Sequence, residues 1–236
     1  MRRLGVIGGL GPLASAYFLE LLTEMTDART DQDHIETVLF SRPTIPDRTA
    51  YLLGKSAQSP LPSMLETAKL LEAAGADLLC APCVTSHAFF HELSKSISLP
   101  WIHMVEETVR CLRESGVKTA GVLATSGTVQ IGLFQSECQK QGIRAVLPSA
   151  KGQQDVMHLI YQNMKAGLPP EMERFCTVSD QLFAQGCDAL VLGCTELSLL
   201  KRGRKLPRCL DALEVLARRA VLLSEKPLKQ EYQTLL

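Results

Sequence analysis

Three landmarks occur twice along this chain, in the same order and at a nearly constant separation. Gly5-Val6-Ile7-Gly8 is matched by Gly121-Val122-Leu123-Ala124, and Gly11 falls on Gly127. Gly75-Ala76-Asp77-Leu78-Leu79 leading to Cys83 is matched by Gly186-Cys187-Asp188-Ala189-Leu190 leading to Cys194, and Leu99-Pro100 by Leu206-Pro207. A chain that repeats a strand-like run, a helix terminator and a second strand-like run is built from two related halves.

The texture between the landmarks gives the fold class. Short continuous apolar runs at 4–7, 37–40, 77–81, 101–104, 119–123 and 189–192 predict buried parallel strands. Helical spacing separates them: residues 64–74 place Leu65, Ala68 and Leu71 on one side and stop at Gly75, and 178–184 stop at Gly186. Such alternation predicts an α/β fold of two pseudo-symmetric parallel-sheet subdomains, one from 1–101 plus 210–236 and the other from 102–209. The segment 43–62, with prolines at 43, 46, 60 and 62, reads as loop.

Charge narrows the class of partner. Lys and Arg number 25 against 25 Asp and Glu, so no basic field exists for nucleic acid, and a small molecule is the expected partner. No apolar run reaches the roughly 18 to 20 residues that cross a bilayer. Arg2-Arg3 before an apolar stretch and Ala14-Ser15-Ala16 copies the outline of a secretory signal. The internal counterpart of residues 5–8 makes that stretch a core strand instead. Eight cysteines sit mostly within apolar runs, and a chain this long needs no disulfide framework, which predicts a reduced, cytoplasmic protein.

Cys83 and Cys194 stand apart from the other cysteines. Each ends a predicted strand and is followed by Thr within two positions, and open parallel sheets carry their chemistry at the carboxyl ends of strands. Two thiols facing each other across a cleft suit removal of a proton from one face of a carbon and delivery to the other, with one cysteine as thiolate and its partner as thiol.

Cys83-Val84-Thr85-Ser86-His87, Gly193-Cys194-Thr195-Glu196 and Gly8-Gly9-Leu10-Gly11-Pro12 resemble the three signatures of the aspartate/glutamate racemase family, which works without pyridoxal phosphate. Pro46-Asp47-Arg48-Thr49 and Met164-Lys165-Ala166-Gly167 resemble further family segments, so the likeness runs to about Asp211. It implies an active site between the subdomains, Cys83 and Cys194 as the acid–base pair, no cofactor, no metal, an amino-acid substrate and a homodimer. Arg48 and Lys165 match the positions that take the substrate's distal carboxylate. Thr85, Thr125, Thr128 and Thr195 match the cradle for its amino and α-carboxylate groups, and Gly9, Val84, Ser86 and Glu196 complete the expected binding set. Glutamate racemases usually carry His where this chain has Glu196, which points to the aspartate branch. Family members usually have Asn where this chain has Val84, which bears on substrate preference and turnover.

Two other readings compete. Gly9-Leu10-Gly11 after a strand fits a dinucleotide-binding turn and so an NAD(P)-dependent oxidoreductase, although no acidic residue ends the next strand. A catalytically weak, ligand-binding relative of the racemases is the other. Cys80-x-x-Cys83 lacks the second pair that a zinc site needs. The run 201–205, Lys-Arg-Gly-Arg-Lys, reads as a solvated loop.

Overall fold

The structure, a computed structural model, describes residues 2–236. Its strands form two parallel sheets. The first has the order β2 (Thr37–Ser41), β1 (Leu4–Gly8), β3 (Leu78–Cys80), and the second β5 (Arg144–Val146), β4 (Thr119–Ala124), β6 (Ala189–Gly193), β7 (Cys209–Asp211). β1 and β4 are central in their sheets, with Leu4 beside both Thr37 and Leu78, and Ala120 beside Ala189.

The repeated landmarks do the same work in both sheets. A Cβ on Gly5 would lie 2.7 Å from Leu79 Cδ2, and one on Gly121 would lie 2.6 Å from Leu190 Cδ2. Each glycine therefore admits a leucine from the neighbouring strand that any larger residue would expel. Asp77 accepts the Arg3 N–H at 2.8 Å, and Asp188 accepts those of Lys118 and Thr119 at 2.9 and 2.8 Å. The two aspartates thus tie the start of the central strand to the next strand but one in sequence.

Helices cover the sheets. α1 (Pro12–Met25) follows β1; α2 (Arg48–Leu52) and α3 (Leu61–Ala73) follow β2; α4 (Phe90–Ser96) and α5 (Met104–Glu114) follow β3. In the second half come α6 (Ser126–Gln130), α7 (Leu133–Lys140), α8 (Ala150–His158), α9 (Met172–Ala184) and α10 (Thr195–Lys201), and α11 (Ala212–Leu223) follows β7. Alternation within β1 and β4 sends Val6 and Val122 into one shared core with Phe18, Val109 and Leu216. Ile7 and Leu123 point the other way, into separate clusters under α3 and α9. One continuous core therefore joins the sheets while each keeps its own outer layer.

Three expectations need correction. Residues 101–104 form no strand: Trp101 makes a single parallel bridge to Leu79, and Met104 opens α5, whose first turn is capped when His103 accepts the Glu106 N–H. β5 and β7 were not anticipated, because Arg144-Ala145-Val146 and Cys209-Leu210-Asp211 are too short and too polar to read as apolar runs. The proline-rich segment 43–62 contains a helix, α2, nucleated by Asp47, whose carboxylate accepts the Ala50 N–H at 2.7 Å. The basic run is the expected exposed loop: residues 202–205 are exposed after the end of α10, with Lys201 paired to Glu214 at 2.6 Å and Arg202 to Glu20.

Candidate active site

The carboxyl ends of both sheets meet at one small pocket. β3 delivers Cys83, which starts a 3-10 turn (Val84–Phe89), and β6 delivers Cys194, which starts α10. Both thiols line the pocket, together with Arg48, Val84, Thr85, Thr125, Lys165, Thr195 and Glu196. Three expected residues lie behind this lining. Thr128 closes a triangle of hydroxyls with Thr85 and Thr125 at 3.0 to 3.1 Å. Ser86 donates to the Cys83 carbonyl at 2.6 Å. Gly9 holds φ +82° and lies so close to Arg42 that a Cβ would meet the Arg42 nitrogen at 2.4 Å. Its role is the turn after β1, where only glycine fits.

The lining also includes Leu10, Asp47, Thr49 and Tyr161, which were not in the expected binding set. Tyr161 precedes Lys165 by four residues on a wide π-type turn (Leu159–Met164) that extends α8, so both reach the same side. That spacing was the available signal. Tyr161 carries the Lys165 ammonium 5.4 Å from its ring centre and donates toward Asp47 at 3.4 Å.

Arg48 is buried and fixed. Its guanidinium donates to the Ile45, Pro46 and Leu10 carbonyls at 3.3, 3.1 and 2.8 Å. Burial opposes its charge, yet Cys83 and Asp47 beside it hold its pKa above the usual arginine value. Lys165 is similar: burial works against its charge, and Glu196, 2.9 Å away, more than compensates, raising its pKa.

The two cysteines sit in different surroundings. Burial and then the Glu196 carboxylate push the Cys194 thiol well above its usual pKa, and Cys194 Sγ donates to Glu196 Oε2 at 3.0 Å. While Glu196 sits beside it, Cys194 is held as a thiol. Cys83 has a cation, Arg48, as its neighbour instead. Behind Cys83 stands His87, whose Nε2 accepts the Met104 N–H at 3.1 Å, so its proton resides on Nδ1 and is donated to the Cys83 carbonyl at 3.0 Å. Burial holds His87 down to a pKa of about 4, so it is a neutral clamp on the Cys83 backbone.

The glycine turn that suggested a dinucleotide site is filled by the protein itself. The backbone of Arg42 occupies the open side of Gly9, and Glu196 Oε1 lies 2.5 Å from where a Gly11 Cβ would be. A pyrophosphate needs that space for its close approach to the backbone. All eight cysteines are free thiols.

The Asp/Glu/Hydantoin racemase family model matches residues 7–220. The chain belongs to this family. The fold of the aspartate racemase of Picrophilus torridus superposes on it with a TM-score of 0.84 at 30% identity, covering 99% of this chain and 98% of that one. An aspartate racemase homologue from Pyrococcus horikoshii shares the fold at a TM-score of 0.78 and 21% identity, covering 96% of this chain and 100% of that one. The broad specificity amino-acid racemase RacX of Bacillus subtilis is 25% identical over 201 residues, 83% of this chain and 86% of its own. These racemase relatives span the whole α/β architecture, so the paired thiols lie within the shared fold and not on an added segment.

Proposed function

We propose that this racemase-family protein inverts the α-carbon of an acidic amino acid, aspartate or glutamate, without a cofactor, using Cys83 and Cys194 as the acid–base pair. The observation that carries the reading is the convergence of both thiols and two cations, Arg48 and Lys165, on one pocket at the carboxyl ends of both sheets. A thiolate on one side takes the α-proton and the thiol on the other side returns one to the opposite face. Cys194, held as a thiol, is the donor when the cycle starts from the enantiomer that presents its α-hydrogen to Cys83. The reverse direction starts with the roles exchanged.

The distal carboxylate of such a substrate loses its water shell on entry and needs cationic donors in return. Arg48 and Lys165 are the cations lining the pocket. The threonine hydroxyls and the backbone amides at the starts of the 3-10 turn and α10 offer donors for the α-carboxylate. A two-thiol mechanism needs reduced cysteines, which fits a cytoplasmic enzyme, and the family likeness suggests a homodimer. The test is a racemisation screen of amino acids without added cofactor, followed by chiral chromatography. Inversion of aspartate or glutamate supports the reading; inversion confined to other amino acids removes the acidic-substrate claim, and no inversion of any amino acid removes the reaction.

A further inference from the structure

Lys165 and Glu196 belong to two spaces at once. On one side they close the pocket of the two thiols, where the free space is about 10 Å³, close to the minimum for a single water molecule. On the other side they border a groove of about 400 Å³ that is lined by Leu13, Met164 and Leu199. Leu13, 48% exposed, marks the solvent edge of this groove. No α-amino acid fits between the thiols unless a wall moves, and this pair is the wall shared with the open groove.

Two of the other walls are anchored to backbone. Arg48 is held by three carbonyls, and Cys83 by the His87 clamp. Lys165 and Glu196 instead hold each other at 2.9 Å, side chain to side chain. The remaining Glu196 oxygen takes the Cys194 thiol at 3.0 Å, with the Thr195 hydroxyl 3.4 Å away. The carboxyl group reaches from the start of α10 across to the turn after β1, where Gly11 leaves room for it. Its departure opens the wall and frees the Cys194 Sγ–H in the same movement.

We infer that Glu196 is a gating residue: its carboxylate sits on Lys165 where a substrate's distal carboxylate would bind, and an acidic substrate enters from the groove by exchanging with it. This rests on the acidic-substrate reading above. An acidic side chain restores the ion pair that it breaks. A neutral one leaves Lys165 desolvated and unpaired, which disfavours it.

The test labels the thiols with iodoacetamide and follows each cysteine by peptide mass spectrometry across pH. The limiting rate at high pH removes the thiolate fraction and reports access, apart from a nucleophilicity that falls as the pKa falls and so works against any rise. In Glu196→Gln the limiting rates of both Cys194 and Cys83 rise at least tenfold. Cys83 is decisive, because it lies in the other half of the site and a change of charge beside Cys194 alone leaves its access unaltered. Lys165→Met, which removes the other half of the wall, raises both rates in the same way. The KM falls several-fold in Glu196→Gln for aspartate, glutamate and alanine alike, because each must displace the wild-type pair, while the preference for the acidic substrates is kept by Lys165. Unchanged labelling of Cys83 in both variants overturns the gate, and a KM for aspartate or glutamate that fails to fall in Glu196→Gln overturns the exchange. Labelling needs no substrate, so an enzyme that racemises no acidic amino acid defeats the proposed function and still leaves the gate decided.

Discussion

Replacing His87 separates its structural cost from its titration. His87→Leu leaves the Met104 N–H buried without an acceptor, at about 1 to 3 kcal/mol, and loses a neutral hydrogen bond to Cys83 of about 1 kcal/mol. The Cys83 carbonyl keeps Ser86 as a donor, so the total is about 2 to 4 kcal/mol. His87→Gln can still accept from Met104 and costs about 1 kcal/mol. The pH dependence has a definite sign. With its pKa held to about 4 in the folded chain against about 6.5 unfolded, His87 binds more protons when unfolded. Its contribution is fully present above pH 6.5 and is lost as pH falls towards 4, by about 3 kcal/mol in all. Wild-type protein alone obscures this slope, since burial raises the pKa of Asp211 and gives a contribution of opposite sign. The difference between wild type and His87→Gln isolates it. Urea unfolding at pH 7.5, 6.5, 5.5 and 4.5 should show the variant less stable at high pH, with the gap closing at about pH 6 and reversing below it. A stability difference that stays constant over this range would refute the neutral clamp.

Other substitutions test separate links. Arg48→Met or Lys165→Met should reduce kcat/KM for aspartate and glutamate at least tenfold more than for alanine in a coupled racemisation assay. Equal losses would assign these side chains to the fold or the α-carboxylate. Val84→Asn supplies a side-chain hydrogen-bonding group at the pocket wall, and at about 0.5 to 1.5 kcal/mol for a neutral hydrogen bond it should raise activity on acidic amino acids several-fold; no change on any substrate would place position 84 off the ligand. Gly121→Ala drives a methyl to within 2.6 Å of Leu190 and should cost about 1 to 3 kcal/mol as overpacking. Gly132→Ala, with no atom near its Cβ, should cost less than Gly121→Ala through its left-handed backbone alone. Thermal unfolding of the two variants distinguishes packing from conformational strain.

The sequence made the central strands legible because both are continuous apolar runs buried on two faces, and because each carries the glycine that admits a leucine from the next strand. The edge strands of the second sheet left no such signal. β5 begins with the exposed Arg144, and β7 ends with Asp211, a carboxyl group buried on Ser198 and the Leu213 amide. Cys83 and Cys194 could be found as a pair through the repeat, whereas Tyr161 left only its four-residue spacing from Lys165, on a wide helical turn, and Asp47 stood in a family-like segment with no role assigned, at the start of a short helix set among prolines. Motif matching assigned Gly9, Ser86 and Thr128 to substrate, while the structure uses them to shape the turn, hold the Cys83 carbonyl and link the threonine hydroxyls across the two halves. The family match supports the same architecture.

The most direct test of the two-thiol account is deuterium incorporation at Cα in D2O, measured on each enantiomer of aspartate and glutamate with Cys83→Ser and Cys194→Ser. Serine is nearly isosteric with cysteine and a far weaker acid, so each variant should lose racemisation by orders of magnitude while retaining the wild-type circular dichroism spectrum. Each should also keep wash-in for the single enantiomer whose α-hydrogen faces the surviving thiol, with opposite enantiomers for the two variants. Near-normal racemisation in either variant, or wash-in of both enantiomers by the same variant, would contradict the assignment of one thiol to each face.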